Sequence, residues 1–240
     1  MREMQKSDME FVVRRLPTDI RTLLKEYEGR LFVAGGFIRA VVAGETPNDI
    51  DLFGPSKEIL DEAAERLKER RGENTRLHKT KNAITVISLG RITVQFITRW
   101  TFTDPRECAK SFDFTICQSA IWRHLGKYTS CCNESFYVDL AARRLVYTHP
   151  DRNEEAGGSL MRAIKFSKRG YTIQVNSLAG VIARLIDKVD FDRAADEQSR
   201  TFVLTGLLQE VDPLLSIDGL DVHDDHETPI DGIDRKEENA

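Results

Sequence analysis

The stretch Phe32-Val33-Ala34-Gly35-Gly36-Phe37-Ile38-Arg39, followed after a turn by Asn48-Asp49-Ile50-Asp51-Leu52-Phe53, decides the reading of this chain. Residues 31–34 form a short apolar run that reads as a strand and ends on a Gly-Gly pair, beyond which a helical stretch runs to Gly44. Two glycines between strand and helix let backbone N–H groups approach a phosphate without interference from a Cβ, and the helix N-terminus adds the positive end of its dipole. Arg39, one turn into that helix, is expected to reach the same anion. Residues 49–53 alternate acidic and apolar, which predicts a strand projecting both carboxylates from one face. Such a pair suits Mg²⁺, a hard cation that shares its oxygen ligands with substrate phosphates. Two such ions, about 4 Å apart, would activate an attacking hydroxyl and neutralise a leaving pyrophosphate.

Working outward, residues 8–28 carry Phe11, Val12, Leu16, Ile20, Leu23 and Leu24 at helical spacing, broken into two pieces by Pro17. Ser56 is placed to cap a charged helix running to about Arg71, with Ile59, Leu60, Ala63, Ala64 and Leu67 on its inner side. Residues 83–89 and 91–98 read as a hairpin around Gly90, with Lys79 and Lys81 in the turn before it, and residues 112–122 read as a further β-rich run. Residues 137–148 mix a short strand with a turn. From Ser159 the pattern becomes helical, first at Leu160, Met161, Ile164 and Phe166, then at Leu178, Val181, Ile182, Leu185 and Ile186, then over 202–208.

The chain of 240 residues carries 35 Lys+Arg against 39 Asp+Glu, a net charge of -4, so it is not a uniformly basic protein that holds nucleic acid by charge alone. The charge is uneven: the last 23 residues hold nine acids and only Arg235 and Lys236 as strong bases, which leaves residues 1–217 at a net +3. Those last residues lack apolar periodicity and read as a solvated tail. No apolar run approaches the 18 or so residues that span a membrane, and the first residues lack the apolar core of a secretory signal, so a cytoplasmic location is expected. Cys108, Cys117, Cys131 and Cys132 show no zinc spacing and read as reduced thiols. The expected organisation is N-terminal helices over 1–29, an α/β head over 30–155, a helical extension over 156–217 and a disordered acidic tail over 218–240.

Taken in order, Gly35-Gly36, Arg39 and Asp49-Ile50-Asp51 resemble the polymerase-β-like nucleotidyltransferase superfamily, and specifically the head domain of bacterial poly(A) polymerases and CCA-adding tRNA nucleotidyltransferases. Three later segments resemble the same family in the same order. Residues 112–118, Phe-Asp-Phe-Thr-Ile-Cys-Gln, resemble its Arg-Arg-Asp-Phe-Thr-Ile-Asn segment. The stretch from Asp139-Leu140 to Tyr147-Thr148-His149-Pro150-Asp151 resembles its Asp-Leu to His-Thr-His-Pro stretch, and residues 160–166 resemble its Leu-Arg-Ala-x-Arg-Phe helix. The resemblance spans about residues 30–172, in a short single-head form similar to compact versions found in phages and mobile elements. It implies a mixed nucleotidyltransferase sheet flanked by helices, with a small helical C-terminal extension. It implies two Mg²⁺ ions at Asp49 and Asp51, a nucleoside triphosphate held by Gly35, Gly36 and Arg39, and Asp113 and Thr115 near the nucleotide. Arg162 and Lys165, in a basic stripe with Lys168 and Arg169, meet the triphosphate or an RNA backbone, or else form a solvated face.

The departures are specific. The residue after Arg39 is Ala40 where the family has Asp. The third carboxylate, expected on a following strand, falls on Gln95, and a neutral amide brings no charge to a metal. Asp113 is the nearest acidic substitute. The segment that reads the incoming base in the tRNA enzymes, Glu-Asp-x-x-Arg, aligns with Glu155, Ala156 and Ser159, so its Asp and Arg are missing. The function expected from the resemblance is Mg²⁺-dependent transfer of a nucleoside monophosphate from ATP or another triphosphate to an acceptor hydroxyl. The acceptor it implies is an RNA 3′ end such as that of tRNA. The alternatives are a catalytically weakened nucleotide- or RNA-binding regulatory module and a nucleotidyltransferase that modifies a protein or small molecule.

Overall fold

The computed structural model describes residues 1–150, 157–187, 189, 190, 194 and 196–209. The acidic stretch at 218–240 and the positions of Glu155 and Ala156 lie outside these. The chain divides into two compact units, residues 1–152 with 166–180, and residues 153–165 with 181–240.

The first unit opens with α1 (Lys6–Arg15) and α2 (Thr18–Glu26), parted at Pro17 as the sequence predicts, because proline has no N–H to continue the ladder. Then come β1 (Phe32–Ala34), α3 (Gly36–Val42), β2 (Asp49–Phe53) and α4 (Lys57–Arg71). Ser56 caps α4 by accepting the Ile59 N–H at 3.4 Å. Next are β3 (Thr75–Lys79), β4 (Ala83–Ser88), β5 (Thr93–Ile97) and α5 (Pro105–Lys110), then β6 (Ser119–His124), β7 (Lys127–Cys132), α6 (Phe136–Ala141) and β8 (Arg144–Leu145). The later helices are α7 (Gly158–Lys168), α8 (Val175–Ile186) and α9 (Glu197–Gln209), with β9 (Thr172–Ile173) between the first two. Among these helices none is long and apolar enough to cross a membrane.

Seven strands form one sheet in the order β3-β4-β5-β2-β1-β6-β7. It is a mixed sheet: β2 and β5 run parallel, and the other neighbours run antiparallel. One face gathers Phe32, Ala34, Phe53, Ala120, Trp122 and Cys131 under Cys108 and Ala109 of α5. The residues that alternate with these, Val33, Ile50, Leu52, Val94 and Phe96, point to the opposite face, where α2 and α4 pack with Ile20, Leu23, Leu24, Leu60, Ala63, Ala64 and Leu67 buried. The mixed α/β architecture expected from the sequence is the one found. In the second unit Gly157 lies against the α9 backbone, where a Cβ would come within 2.7 Å of the Leu207 carbonyl oxygen.

Three local expectations are corrected. Residues 112–122 are not one strand: residues 115–117 make a 3₁₀ turn, and β6 begins only at Ser119. Asp113 and Thr115 therefore do not share a strand face. The Thr115 N–H closes an isolated antiparallel bridge between Phe114 and Tyr147 by donating to the Val146 carbonyl, and its hydroxyl donates to Asp139. Residues 137–148, read as a short strand with a turn, contain the short strand β8 but open with a helix, α6, instead of a turn. Lys79 ends edge strand β3 instead of sitting in a turn, and its ammonium pairs with Asp61 at 2.6 Å and Glu65 at 3.1 Å on α4.

Asp19 ties three elements together beneath this layer. Its carboxylate, 9% exposed, accepts from Arg71 Nε at 2.8 Å, Arg91 Nη1 at 3.2 Å and the Ile20 N–H at 2.8 Å. Arg71 reaches on to the Ile92 carbonyl, so α2, α4 and the loop between β4 and β5 share one charge cluster. Burial alone would raise the Asp19 pKa, but the hydrogen bond and charge of Arg71, the Ile20 N–H and the charge of Arg91 outweigh it and hold the carboxyl below its ordinary value. A lowered folded pKa contributes stability that is complete above the ordinary aspartate range and is lost as pH falls through the folded value. Asp19→Asn is expected to cost about 3 kcal/mol by leaving buried Arg71 without its counter-ion. Urea unfolding at neutral pH measures that loss, and repeating it at decreasing pH should show the gap between variant and wild type closing.

Candidate active site

Gly35 occupies the end of β1 with φ +81°, a conformation that side chains resist, and its N–H donates to the Ser119 carbonyl at 3.0 Å. The glycine is needed for a second reason. A Cβ built there would lie 2.8 Å from the ring of Phe112. That ring meets Phe53 edge-on with centroids 5.9 Å apart, and Phe53 stands two residues beyond Asp51 on the same face of β2. Phe112 thus joins the Gly-Gly turn, the aspartate strand and the segment that carries Asp113. At Gly36, by contrast, a Cβ would meet nothing within 4 Å.

The segment around Asp113 is held by its backbone. The Phe112 carbonyl accepts from Gln118 Nε2 at 2.9 Å and from the Thr148 hydroxyl at 2.7 Å, while the Asp113 carbonyl accepts the Thr148 N–H at 2.9 Å. Asp113 is buried, at 1% exposure. Gln118 also donates to the Lys110 carbonyl and accepts from Asn133 Nδ2 at 2.6 Å, so the whole amide is used in fixing this loop.

Asp49 and Asp51 stand on β2 as expected. Asp49 is buried and Asp51 partly so, and each contributes a buried carboxylate oxygen. In the parallel pairing with β5, Asp49 faces Thr93 and Asp51 faces Gln95. Among the described residues no group of three or more His, Cys, Asp or Glu side chains is placed to hold a metal. The acidic set at this point of the sheet is the pair.

The other expected ligands are otherwise engaged. Arg39 is 4% exposed, and its guanidinium pairs with Glu45, donates to the Tyr171 hydroxyl at 3.3 Å, and lies 5.1 Å from the Phe166 ring centroid. Tyr171 donates in turn to Glu45 at 2.9 Å, and Arg143 adds a second cation 3.6 Å from Glu45. Burial pushes the Tyr171 phenol up, with the Glu45 carboxylate adding to it and the Arg39 charge opposing. Arg39 therefore braces α3 against Phe166 and Tyr171. Thr115 donates to Asp139 at 2.6 Å, and Asp139 is gripped by Arg144 at 2.9 and 2.5 Å. Arg162 and Lys165 lie three apart on α7 in the second unit. Sequence reasoning passed over Glu45, Tyr171, Gln118 and Arg144, because their partners are brought in by tertiary folding and no local spacing marks them. Phe112 carried a signal, since it stands where the resembled segment has an arginine.

Gly35→Ala is expected to destabilise the fold by about 2 kcal/mol, through the strained φ and the clash with Phe112. Gly36→Ala should cost less, and chemical denaturation of the two variants measures the difference.

By structure the chain is similar to the Thermotoga maritima CCA-adding enzyme complexed with tRNA, with a TM-score of 0.56 and 20% identity over 78% of this chain and 46% of that one. It is also similar to a CCA-adding enzyme in complex with CTP (TM-score 0.58, 17% identity, 88% of this chain and 51% of that one) and with ATP (0.58, 19%, 88% and 51%). The chain spans about half the length of these structures, and at such identity the likeness is one of fold: the chain has the nucleotidyltransferase fold of their head domain. A comparison with curated protein sequences finds no match. The model of the Gabija anti-defense 2 family, Gad2, matches residues 3–151, more than half of the 240, and covers both the Gly-Gly turn and the aspartate strand. The chain belongs to the Gabija anti-defense 2 family.

Proposed function

We propose that this protein is a divalent-metal-dependent nucleotidyltransferase that moves a nucleoside monophosphate from a triphosphate to an acceptor hydroxyl, and that by this transfer it counters the Gabija defence system. The observation that carries the reading is that the ring of Phe112 packs against both Gly35 and Phe53, tying the Gly35-Gly36 turn to the strand that carries Asp49 and Asp51.

The donor set fits a hard cation. Mg²⁺ is commonly held by one or two carboxylates and completes its shell with substrate phosphates and water, which is what Asp49 and Asp51 offer. When bound, the ion would neutralise the developing charge on the leaving pyrophosphate. The chain's own residues do the rest. Gly35 spends its N–H on Ser119, so the triphosphate meets the next donors, the first N–H groups of α3, over the open side of Gly36. Arg39 supports that helix from below through Glu45 and Tyr171. Asp113, fixed by Gln118 and Thr148, bounds the nucleotide.

The acceptor implied by likeness to tRNA-processing enzymes is an RNA 3′ end. The acceptor implied by the family description is a component of the Gabija system. A second reading, a nucleotide-binding module that has lost catalysis, is favoured by Gln95 in the slot of the third carboxylate. Incubation with each α-labelled triphosphate and Mg²⁺, with RNA and with the purified Gabija proteins as acceptors, separates the readings. Label transfer should fall on the order of 100-fold or more in Asp51→Asn while its circular dichroism and melting stay near wild type. Absence of transfer in every arm, with protection against Gabija retained by Asp51→Asn, would establish the binding module instead.

A further inference from the structure

The register of the sheet sets a row of side chains beside Asp51. Asp51 on β2 faces Gln95 on β5, Gln95 faces Thr85 on β4, and Thr85 faces His78 on β3. Residues in register share a face, so this row runs across four strands with its only carboxylate on β2. Gln95 and Thr85 are each 4% exposed, so both are buried, fixed parts of the sheet. A second divalent ion, sited on the β5 side of Asp51, would find a neutral amide and a hydroxyl as its next protein ligands. The donor set that fits one hard cation shared with a triphosphate does not fit two.

That difference bears on the acceptor. The second ion of a two-metal centre lowers the pKa of the attacking oxygen. Without it the acceptor must bring its own acidity. The aliphatic hydroxyls of serine and ribose ionise only at higher pH than a tyrosine phenol, which ionises at about 10. Carboxylates and phosphate monoesters are already ionised, but they would approach Asp49, Asp51 and the triphosphate against like charge. A phenol arrives neutral and gives up its proton only as the new bond forms.

We propose, resting on the nucleotidyl-transfer reading above, that the centre operates with one ion and that its acceptor is the phenolic hydroxyl of a tyrosine on a partner protein, with Gln95 as the residue that selects it. The tyrosine oxygen bonds to the α-phosphorus, and the bond from that phosphorus to the oxygen bridging to the β-phosphate breaks. Pyrophosphate departs with the electron pair, and the phenolic proton passes to water.

Two measurements on the full chain test this. Electron paramagnetic resonance titration of Mn²⁺ in the presence of a non-hydrolysable α,β-methylene triphosphate should count one bound ion per wild-type chain and two in Gln95→Glu. Two ions in the wild type would overturn the one-ion centre, and that count does not depend on the variant folding. In parallel, labelled triphosphates are offered with N-acetyltyrosinamide, N-acetylserinamide and an RNA oligonucleotide bearing a free 3′ hydroxyl. Wild type should label the tyrosine compound, and Gln95→Glu should raise labelling of the serine compound and RNA on the order of 100-fold. Equal or preferred labelling of serine or RNA by wild type would overturn the phenolic acceptor while leaving nucleotidyl transfer intact. No labelling of any acceptor, with one ion bound, would overturn nucleotidyl transfer itself and the phenolic acceptor with it.

Discussion

The contact between Phe112 and Gly35 is the constraint on which the site depends. β1 must end without a Cβ so that the ring can lie on its backbone, and the ring must be there because Phe53 and Phe32 leave an aromatic floor that needs covering. That one packing decision settles three positions together. It fixes where α3 begins, how the far end of the Asp49–Phe53 strand is shielded, and where the chain stands when it reaches Asp113. Gln118 and Thr148 then hold the loop by its carbonyls. Backbone clamping of this kind suits a site, because a side chain held through its own backbone can face a ligand.

Much of this was legible in the sequence, for identifiable reasons. The Gly-Gly pair, the acidic alternation at 49–53, the Ser56 cap and the break at Pro17 are all local signals, and each forms where the sequence predicts it. The failures share a cause. Residues 115–117 look like strand by composition, but the Thr115 hydroxyl is claimed by Asp139, 24 residues away. The contacts of Arg39 Nη1 with Glu45 and Tyr171 were likewise not readable, since Tyr171 is 132 residues distant. Contacts of that separation leave no periodic trace. The pair of aspartates was readable because their placement, two carboxylates on one strand face, is itself a matter of spacing.

Arg39 illustrates how a motif residue can also carry a structural duty. It is a buried cation, and its solvation has been replaced by Glu45, the Tyr171 hydroxyl and the faces of Phe166 and Tyr171. Removing any one of these leaves a desolvated charge, so the group behaves as a unit. It couples α3, whose first turn follows the Gly-Gly pair, to the end of α7 and the strand that follows. Beside the expected role, charge aimed at a triphosphate, the contacts give the arginine a mechanical one: it helps keep in place the helix that follows the Gly-Gly pair.

The neutral Gln95 has an energetic consequence even before any ligand arrives. Asp49 and Asp51 are separated by about two strand residues, roughly 7 Å, and at an effective dielectric constant near 20 their repulsion is about 2 kcal/mol. A carboxylate on β5 opposite Asp51 would stand about 5 Å away and add about 3 kcal/mol more, in a position only 4% exposed where the charge is also desolvated. With overall stabilities of about 5–15 kcal/mol, a third acid is a substantial burden on an empty site, one that a bound second ion would have to relieve. A glutamine in that place relaxes the burden and forgoes the ion. On the one-ion proposal, stability and ion count would therefore be set by the same residue: a chain that keeps Asp49 and Asp51 while placing an amide beside them avoids the charge repulsion of a third carboxylate.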